Sequence, residues 1–405
     1  MQRRIASLFV LVVALAVFVA ACGGGGPASE SPGGQAGQDQ GAGSESGTDG
    51  QSGNEVQLPQ QLTITAYDVG SAGYSQLTAI ADAITRTYGT RIRLMPSASG
   101  IGRLLPLRDG TAQIGGRVAD EMYFAFEGIY EFASPQWGPQ NVRYILPILN
   151  HFGGMVLKDS PFQTFADLKG AKVPWIIGNP SVNIKVEALL ASAGLTLDDV
   201  QIVEVTSYAG QPKMVAEGQL DVALIVPDAA SVYEAHELYG IRWLDLSYLQ
   251  EDPEALARLR EVYPFGLPEP WDIGAGLTRG EPVVFLGYTS YAPAAYADTD
   301  PDLVYNFLRA LEETYDLWKD ATPNMFVWHY ENAKPEPLGV PIHEGAIRYF
   351  EEKGMWNDEY QKKNDELIAR YEKLRQAWEE TVSEATAQGI SEQDFPQFWM
   401  ERRPK

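Results

Sequence analysis

Residues 62–84 read LTITAYDVGSAGYSQLTAIADAI, and three patterns follow one another within them. Residues 62–67 alternate apolar and polar side chains, the period of a half-buried strand. Residues 68–73 supply a small, glycine-containing loop. Leu77, Ile80, Ala81 and Ile84 then recur at helical spacing. The order strand, loop, helix returns at residues 91–95, 97–102 and 104–107, closed by Gly110, and residues 113–116 read as a third short strand. It returns again at 173–177 and 178–181, with a helix through Val186, Leu189 and Leu190 that stops at Gly194. Strands alternating with helices imply α/β sheets rich in parallel pairing, with ligands held beyond the strand C-terminal ends.

Residues 220–226 add a further buried strand. Residues 282–291, apolar and aromatic, suit a strand returning to the first domain. Asp298, Asp300, Pro301 and Asp302 form a helix start ahead of Val304, Phe307, Leu308 and Leu311. From Asn357 to about Ala387, Tyr360, Leu367, Tyr371, Leu374, Trp378 and Val382 keep helical spacing. That pattern fits either a partner-binding helix or one packed across its own body.

The N-terminal side has a different character. Arg3 and Arg4 precede a charge-free apolar run over residues 5–20, shorter than the roughly 20 residues of a membrane span. Val19, Ala20, Ala21 and Cys22 resemble the lipobox of bacterial lipoproteins, and Cys22 is the single cysteine of the chain. Residues 1–21 are thus expected to be a lipoprotein signal peptide, and the Gly- and Ser-rich residues 22–60 a flexible tether too polar to fold. The expected organisation continues with a first lobe (61–150 and 282–356), a second lobe (151–281) and a C-terminal helical extension (357–405). One cysteine allows no intramolecular disulfide, so core burial must stabilise the fold. With 31 Lys and Arg against 54 Asp and Glu, the formal charge is -23, which disfavours nucleic acid and anionic membrane surfaces as partners.

Signatures of catalysis are missing: there is no G-x-S-x-G elbow, no phosphate-binding G-x-x-x-x-G-K-S/T loop and no H-E-x-x-H pair. The four histidines are scattered, so neither a metal site nor a cofactor is expected. Three strand-to-helix loops remain. A helix N-terminus presents unpaired N–H groups and a partial positive charge, so such loops can hold a carboxylate without metal. The candidate ligand contacts are Ser71, Gly73 and Tyr74 in the first loop; Ser97, Ser99, Gly100 and Arg103 in the second; and Asn179, Ser181 and Asn183 in the third. Each serine taken alone is more often a helix cap than a ligand contact. Arg117 and Asp120 complete the set. Arg103 and Arg117 suit a bidentate grip on an anion or, with equal weight, salt bridges to surface carboxylates.

These residues carry a resemblance. Residues 63–128 look like the opening of TAXI-type solute receptors of tripartite ATP-independent periplasmic (TRAP) transporters, with Gly70, Ser71, Gly73 and Tyr74 matching the family's Gly-rich loop and tyrosine. Asp120, Tyr123 and Gly128 fall at its Asp, Tyr and Gly. The match continues at residues 167–170, Gly194, Asp198, Asp199, Gly218, Asp221 and the cluster Pro341, His343, Gly345, Ala346, Ile347 and Tyr349. It departs at Arg103, at Arg117 and at residues 179–182. The resemblance implies a bilobed α/β periplasmic-binding-protein fold joined by a hinge. It also implies an extracytoplasmic, non-enzymatic receptor that takes a small polar, carboxylate-bearing solute and delivers it to integral-membrane subunits. A binding lipoprotein of an ATP-driven importer, of the sulfonate or thiamine-precursor type, shares these features and stays open. An enzyme built on the same clamp would need a nucleophile and base at motif spacing.

The lipobox generates a direct test. Cys22→Ser is expected to release the protein from membranes on cell fractionation without changing the solute affinity of the released domain; a variant that still sediments with membranes contradicts the anchor.

Overall fold

The computed structural model describes residues 55–97, 99–118 and 120–405. The expected signal peptide, Cys22 and residues 22–54 of the expected tether lie outside the described residues. Among those described, β1 (Gln61–Ala66), β2 (Arg91–Pro96), β3 (Ile114–Gly115) and β4 (Val142–Tyr144) belong to one sheet. The chain then crosses to β5 (Asn150–Leu157), the centre of a second sheet. β6 (Lys172–Ile176) and β7 (Gln201–Val205) pair with each other, whereas β8 (Ala223–Ile225), β9 (Ile241–Trp243), β10 (Leu267–Trp271) and β11 (Val283–Tyr288) build out the second sheet. β12 (Ala294–Tyr296) returns to the first, whose order is β2-β1-β3-β12-β4.

Around the sheets lie α1 (Ala72–Tyr88), α2 (Gly100–Arg108), α3 (Glu121–Glu127), α4 (Pro180–Ser192), α5 (Gln211–Ala216), α6 (Ala230–Tyr239) and α7 (Tyr248–Glu251). They are followed by α8 (Pro253–Val262), α9 (Pro301–Glu313), α10 (Tyr315–Trp318), α11 (Glu344–Glu352), α12 (Asp358–Gln388) and α13 (Phe395–Met400). The α/β class expected from the sequence is the one observed: sheets flanked by helices, with no closed barrel among the described residues.

Local chemistry explains the first unit. β1 pairs in parallel with β2 and β3 on its two sides, so Leu62 to Ala66 are buried throughout and the alternation seen in the sequence does not translate into a solvated face. Thr63 and Thr65 fit because a β-branched side chain packs well on a pleated surface even when its hydroxyl is covered. The strand ends at Tyr67. Ser71 then caps α1, its Oγ accepting from Tyr74 N at 3.2 Å, and Gly89 ends the helix at φ 72°, a left-handed geometry that glycine adopts at little cost.

Two details differ from the sequence reading. Residues 283–288 form β11 inside the second sheet, antiparallel to β5 and β10; the return to the first sheet is made by β12, antiparallel to β3 and β4. Among the described strands, parallel pairing joins β1 with β2 and β3, and β6 with β7; a single parallel bridge also links Tyr144 to Ile342. The second sheet is antiparallel because its central strand runs out from the first body while β11 runs back. The two crossings touch: Asn150 Nδ2 donates to Ile148 O at 2.6 Å and to Tyr291 O at 3.3 Å.

The tail packs on its own chain. Asn357 caps α12, accepting from Tyr360 N at 2.9 Å, and Tyr371 and Leu374 on that helix are buried. Arg370 forks onto Glu127 at the end of α3 at 3.1 and 2.8 Å. Trp399 Nε1 donates to Gly128 O at 2.7 Å, and its fully buried ring meets Trp378 edge-on at 4.9 Å. Trp399→Ala is therefore expected to destabilise the fold by about 3–5 kcal/mol in denaturant titrations while leaving solute affinity unchanged. A loss below about 1 kcal/mol, or a folded variant that no longer binds, contradicts this placement.

Candidate functional site

The N-termini of α1 and α4 come together where the elements of the two sheets meet, and the contact encloses a cavity of about 40 Å³. Tyr67, Ser71 and Ala72 line it from β1 and α1. Ser181, Val182 and Lys185 line it from α4, and Phe152, Tyr208, Val226, Tyr288 and Tyr291 complete the wall. The first residues of both helices, whose N-termini carry partial positive charge, thus border this space. Asn179 caps α4, its Oδ1 accepting from Val182 N at 3.1 Å, while its Nδ2 donates to the Tyr67 hydroxyl at 2.8 Å and so ties the third loop to the end of β1.

The polar wall is rich in donors. The Tyr67 hydroxyl oxygen is occupied by Asn179, the Tyr208 oxygen accepts from Val226 N at 3.0 Å, and Ser71 Oγ accepts from Tyr74 N. Each of these hydroxyls retains its own proton to give. Burial pushes the Tyr67, Tyr208, Tyr288 and Tyr291 phenols up from their ordinary value, so all four stay protonated at neutral pH. Among the described residues the Tyr288 hydroxyl makes no hydrogen bond, and the Lys185 ammonium sits 4.4 Å from its ring centre.

Lys185 is buried and paired with Asp120. The Asp120 carboxylate also accepts from Ser181 Oγ at 2.8 Å, from the Tyr263 hydroxyl at 2.7 Å and from Ser290 Oγ. With no exposure and four donors, Asp120 joins α4, the end of α8 and the strand exit after β11 to the base of α3. It is saturated by protein groups.

The two arginines stand behind the wall, and neither reading from the sequence describes them. Arg103 is wholly buried, paired with Glu121, donates to Ser97 O at 2.8 Å and lies 3.8 Å over the Tyr67 ring. It is not a surface ion pair, nor does it line the cavity. Arg117 donates to Gln76 Oε1 and Asn150 Oδ1 and stacks 3.9 Å over Tyr291; burial pulls its pKa down. Both guanidinium groups are used to hold the tyrosines in place, a cation on an aromatic face being strongest when desolvated.

Of the other residues expected at the site, Ser71 and Ser181 line the cavity. Gly73 lies behind it, where a Cβ would fall 2.1 Å from the Tyr291 hydroxyl, so only glycine allows that ring its position. Gly100 plays the same part for Glu121, whose Cγ would lie 2.3 Å from an added Cβ. Asn183 brackets the end of β6, bonding Ile176 N and O at 2.9 Å each. Ser99 caps α2 through Gly102 N at 3.1 Å, Ser97 Oγ accepts from Ser99 N at 3.3 Å, and Tyr74 is half-buried on α1. None of these last four lines the cavity.

The residues that sequence reasoning missed are Tyr67, Phe152, Lys185, Tyr208, Tyr288 and Tyr291. Two signals were present: Ser181 and Lys185 are four apart on one helix, hence on one face, and Tyr288 and Tyr291 bracket a hydroxyl pair at the strand exit. A larger groove of about 420 Å³ beside α12 is lined by Tyr123, Phe265, Lys363 and Arg370 among others. Its cations are paired, Lys363 with Glu336 and Arg370 with Glu127, as Lys185 is with Asp120; the uncommitted hydroxyl protons are those of the tyrosines and Ser71 at the smaller cavity.

Glu131 packs beside Gly100 near the Arg103–Glu121 pair, and burial pushes its carboxyl up to about 7 from the ordinary 4.5. A raised acid holds its proton more tightly in the folded state, so the stability it contributes is present below about pH 4.5 and lost as pH rises through about 7. Glu131→Gln removes that slope. The melting temperature of the variant relative to the parent is expected to rise between pH 5 and pH 8; a constant difference across that window contradicts the assignment.

Comparison with known proteins places this geometry in context. Aligned structures include the periplasmic aliphatic sulphonate-binding protein SsuA of Escherichia coli, with 18% identity over 77% of this chain and 87% of that one and a TM-score of 0.40. The alkanesulfonate-binding protein SsuA of Xanthomonas axonopodis pv. citri, bound to MOPS, aligns with 18% identity over 75% of this chain and 96% of that one, with a TM-score of 0.39. Residues 65–354, well over half of the sequence, match the NMT1-like family, and the chain belongs to that family.

Proposed function

We propose that this protein is an extracytoplasmic solute receptor that grips the anionic head of a small, carboxylate-bearing solute between the N-termini of α1 and α4 and passes it to integral-membrane transporter subunits. The observation that carries this reading is the chemistry of the cavity wall. Its polar side chains are four tyrosines, two serines and one lysine, with no carboxylate and no amide among them. The tyrosine and Ser71 hydroxyls of such a wall have protons to give, and an oxyanion is the guest that accepts them. The aromatic and aliphatic part of the wall then covers an apolar body.

Size supports the same picture. A water needs roughly 10–15 Å³ measured this way, so a cavity of about 40 Å³ fits a head group. A whole solute requires the walls to part, which fits two bodies, one around each sheet with β11 in the second, moving about the crossings at Asn150 and Tyr291. The resemblance of the sequence to TAXI-type receptors favours ion-coupled TRAP subunits as the partner, and Cys22 as the lipid anchor that keeps the receptor beside them. The receptor performs no covalent chemistry in this reading.

The Tyr288 hydroxyl gives the cleanest test, because removing it strips no partner from the fold. A solute retained by the purified protein can be identified by native mass spectrometry and titrated calorimetrically. Tyr288→Phe is expected to keep the parent's melting temperature and to weaken binding about tenfold or more, in line with the roughly 1.5–3 kcal/mol of a hydrogen bond to a charged group. Unchanged affinity removes the cavity from the binding site.

A further inference from the structure

Two carboxylates, Asp120 fully buried and Asp228 half-buried, face each other's bodies from opposite sides of the seam. Asp120 follows β3 of the first sheet, and its donors stand on the other side: Ser181 and Lys185 on α4, Tyr263 after α8 and Ser290 after β11. Asp228 follows β8 of the second sheet, and its donor is Asn324 Nδ2, from the segment after α10. Asn324 Oδ1 in turn accepts from Gln76 Nε2 of α1 at 2.7 Å, and Gln76 Oε1 accepts from Trp328 Nε1 at 3.0 Å and from Arg117. The cavity lies between the two assemblies, with Tyr291 and Val226 reaching toward the Asp228 side.

We propose that Asp120 and Asp228 are reciprocal closure latches, one lent by each body to donors on the other, and that they set the balance between closed and open states whether or not solute is bound. The proposal rests on the receptor reading only in requiring that the two bodies can separate. Its physical basis is the near cancellation in buried ion pairs. The attraction of Asp120 for Lys185 is offset by the cost of drying both groups, and opening returns both to water. Such a contact contributes little net stability yet switches over a short distance, which suits a closure that solute binding must be able to tip.

Removing one partner breaks the cancellation. Asp120→Asn leaves the Lys185 ammonium buried without its counter-charge, a penalty relieved only by opening. Asn324→Ala removes the amide donor to the half-buried Asp228 carboxylate and so weakens that contact across the seam, with the same direction of effect. Both variants therefore shift the solute-free protein toward the open state, and solute draws it back.

Spin labels at Arg93→Cys and Glu217→Cys, both exposed and one on each body, in a Cys22→Ser background, report the separation by electron–electron distance measurement. Without solute, the parent is expected to show one short distance; Asp120→Asn and Asn324→Ala each add a longer population, and the retained solute removes it. Ser290→Ala, which drops one donor and keeps the ion pair, serves if Asp120→Asn does not fold, and is expected to show a smaller longer-distance fraction. A parent already at the long distance, or variants identical to the parent, overturns the latches. Because these distances are read without solute, that failure is separate from a failure of the Tyr288→Phe titration, which bears on the receptor reading alone.

Discussion

The buried Asp120–Lys185 pair is the constraint on which the rest of the seam depends. A carboxylate and an ammonium withdrawn from water must be surrounded by hydrogen bonds, and breaking such a pair from one side typically costs about 3–5 kcal/mol. The chain meets the requirement with Ser181, Tyr263 and Ser290 around the carboxylate, and with Ser181 O at 3.0 Å from the ammonium. These donors come from three separate stretches of sequence. Satisfying one carboxylate therefore fixes α4, α8 and the exit from β11 relative to α3, and in doing so shapes the space in front of Lys185.

The second organising force is the stacking of cations on aromatic rings. Arg103 over Tyr67 and Arg117 over Tyr291 lie at 3.8 and 3.9 Å, and the two tyrosines meet edge-on at 5.7 Å between ring centres. Each guanidinium is held in turn by Glu121 or by Gln76 and Asn150. The arginines thus stand behind the cavity wall, each committed to internal partners. In the proposed reading an anionic guest makes no direct arginine fork, and its contacts fall to hydroxyls, Lys185 and backbone N–H groups.

Much of the first body was legible from residues 62–84 alone, because strand period, small loop and helical spacing are local properties. β1, α1, β2 and α2 appear close to where their patterns put them, and Asn357 and Asp300 cap their helices as their chemistry suggests. The second sheet was less legible. β5 contains Gly153 and Gly154, which break a strand pattern yet are needed here because a Cβ on Gly153 would meet the Phe285 ring at 2.7 Å. Of the expected contacts, Ser71 and Ser181 border the cavity, while Arg103 and Arg117 drew attention as charges when their partners, Glu121 and Gln76, could be known only from the fold. Tyr67 and Tyr208 carried no local mark, since a tyrosine just past a strand reads first as core.

The central claim is that an anionic solute is held between the N-termini of α1 and α4. A crystal structure of the protein with its retained solute tests this most directly. The account predicts oxyanion oxygens within hydrogen-bond distance of Lys185 Nζ and the Tyr288 hydroxyl, with Asp120 still bound to Ser290; a solute seated instead in the groove between α12 and Phe265, or one presenting a cation to the tyrosines, would contradict it.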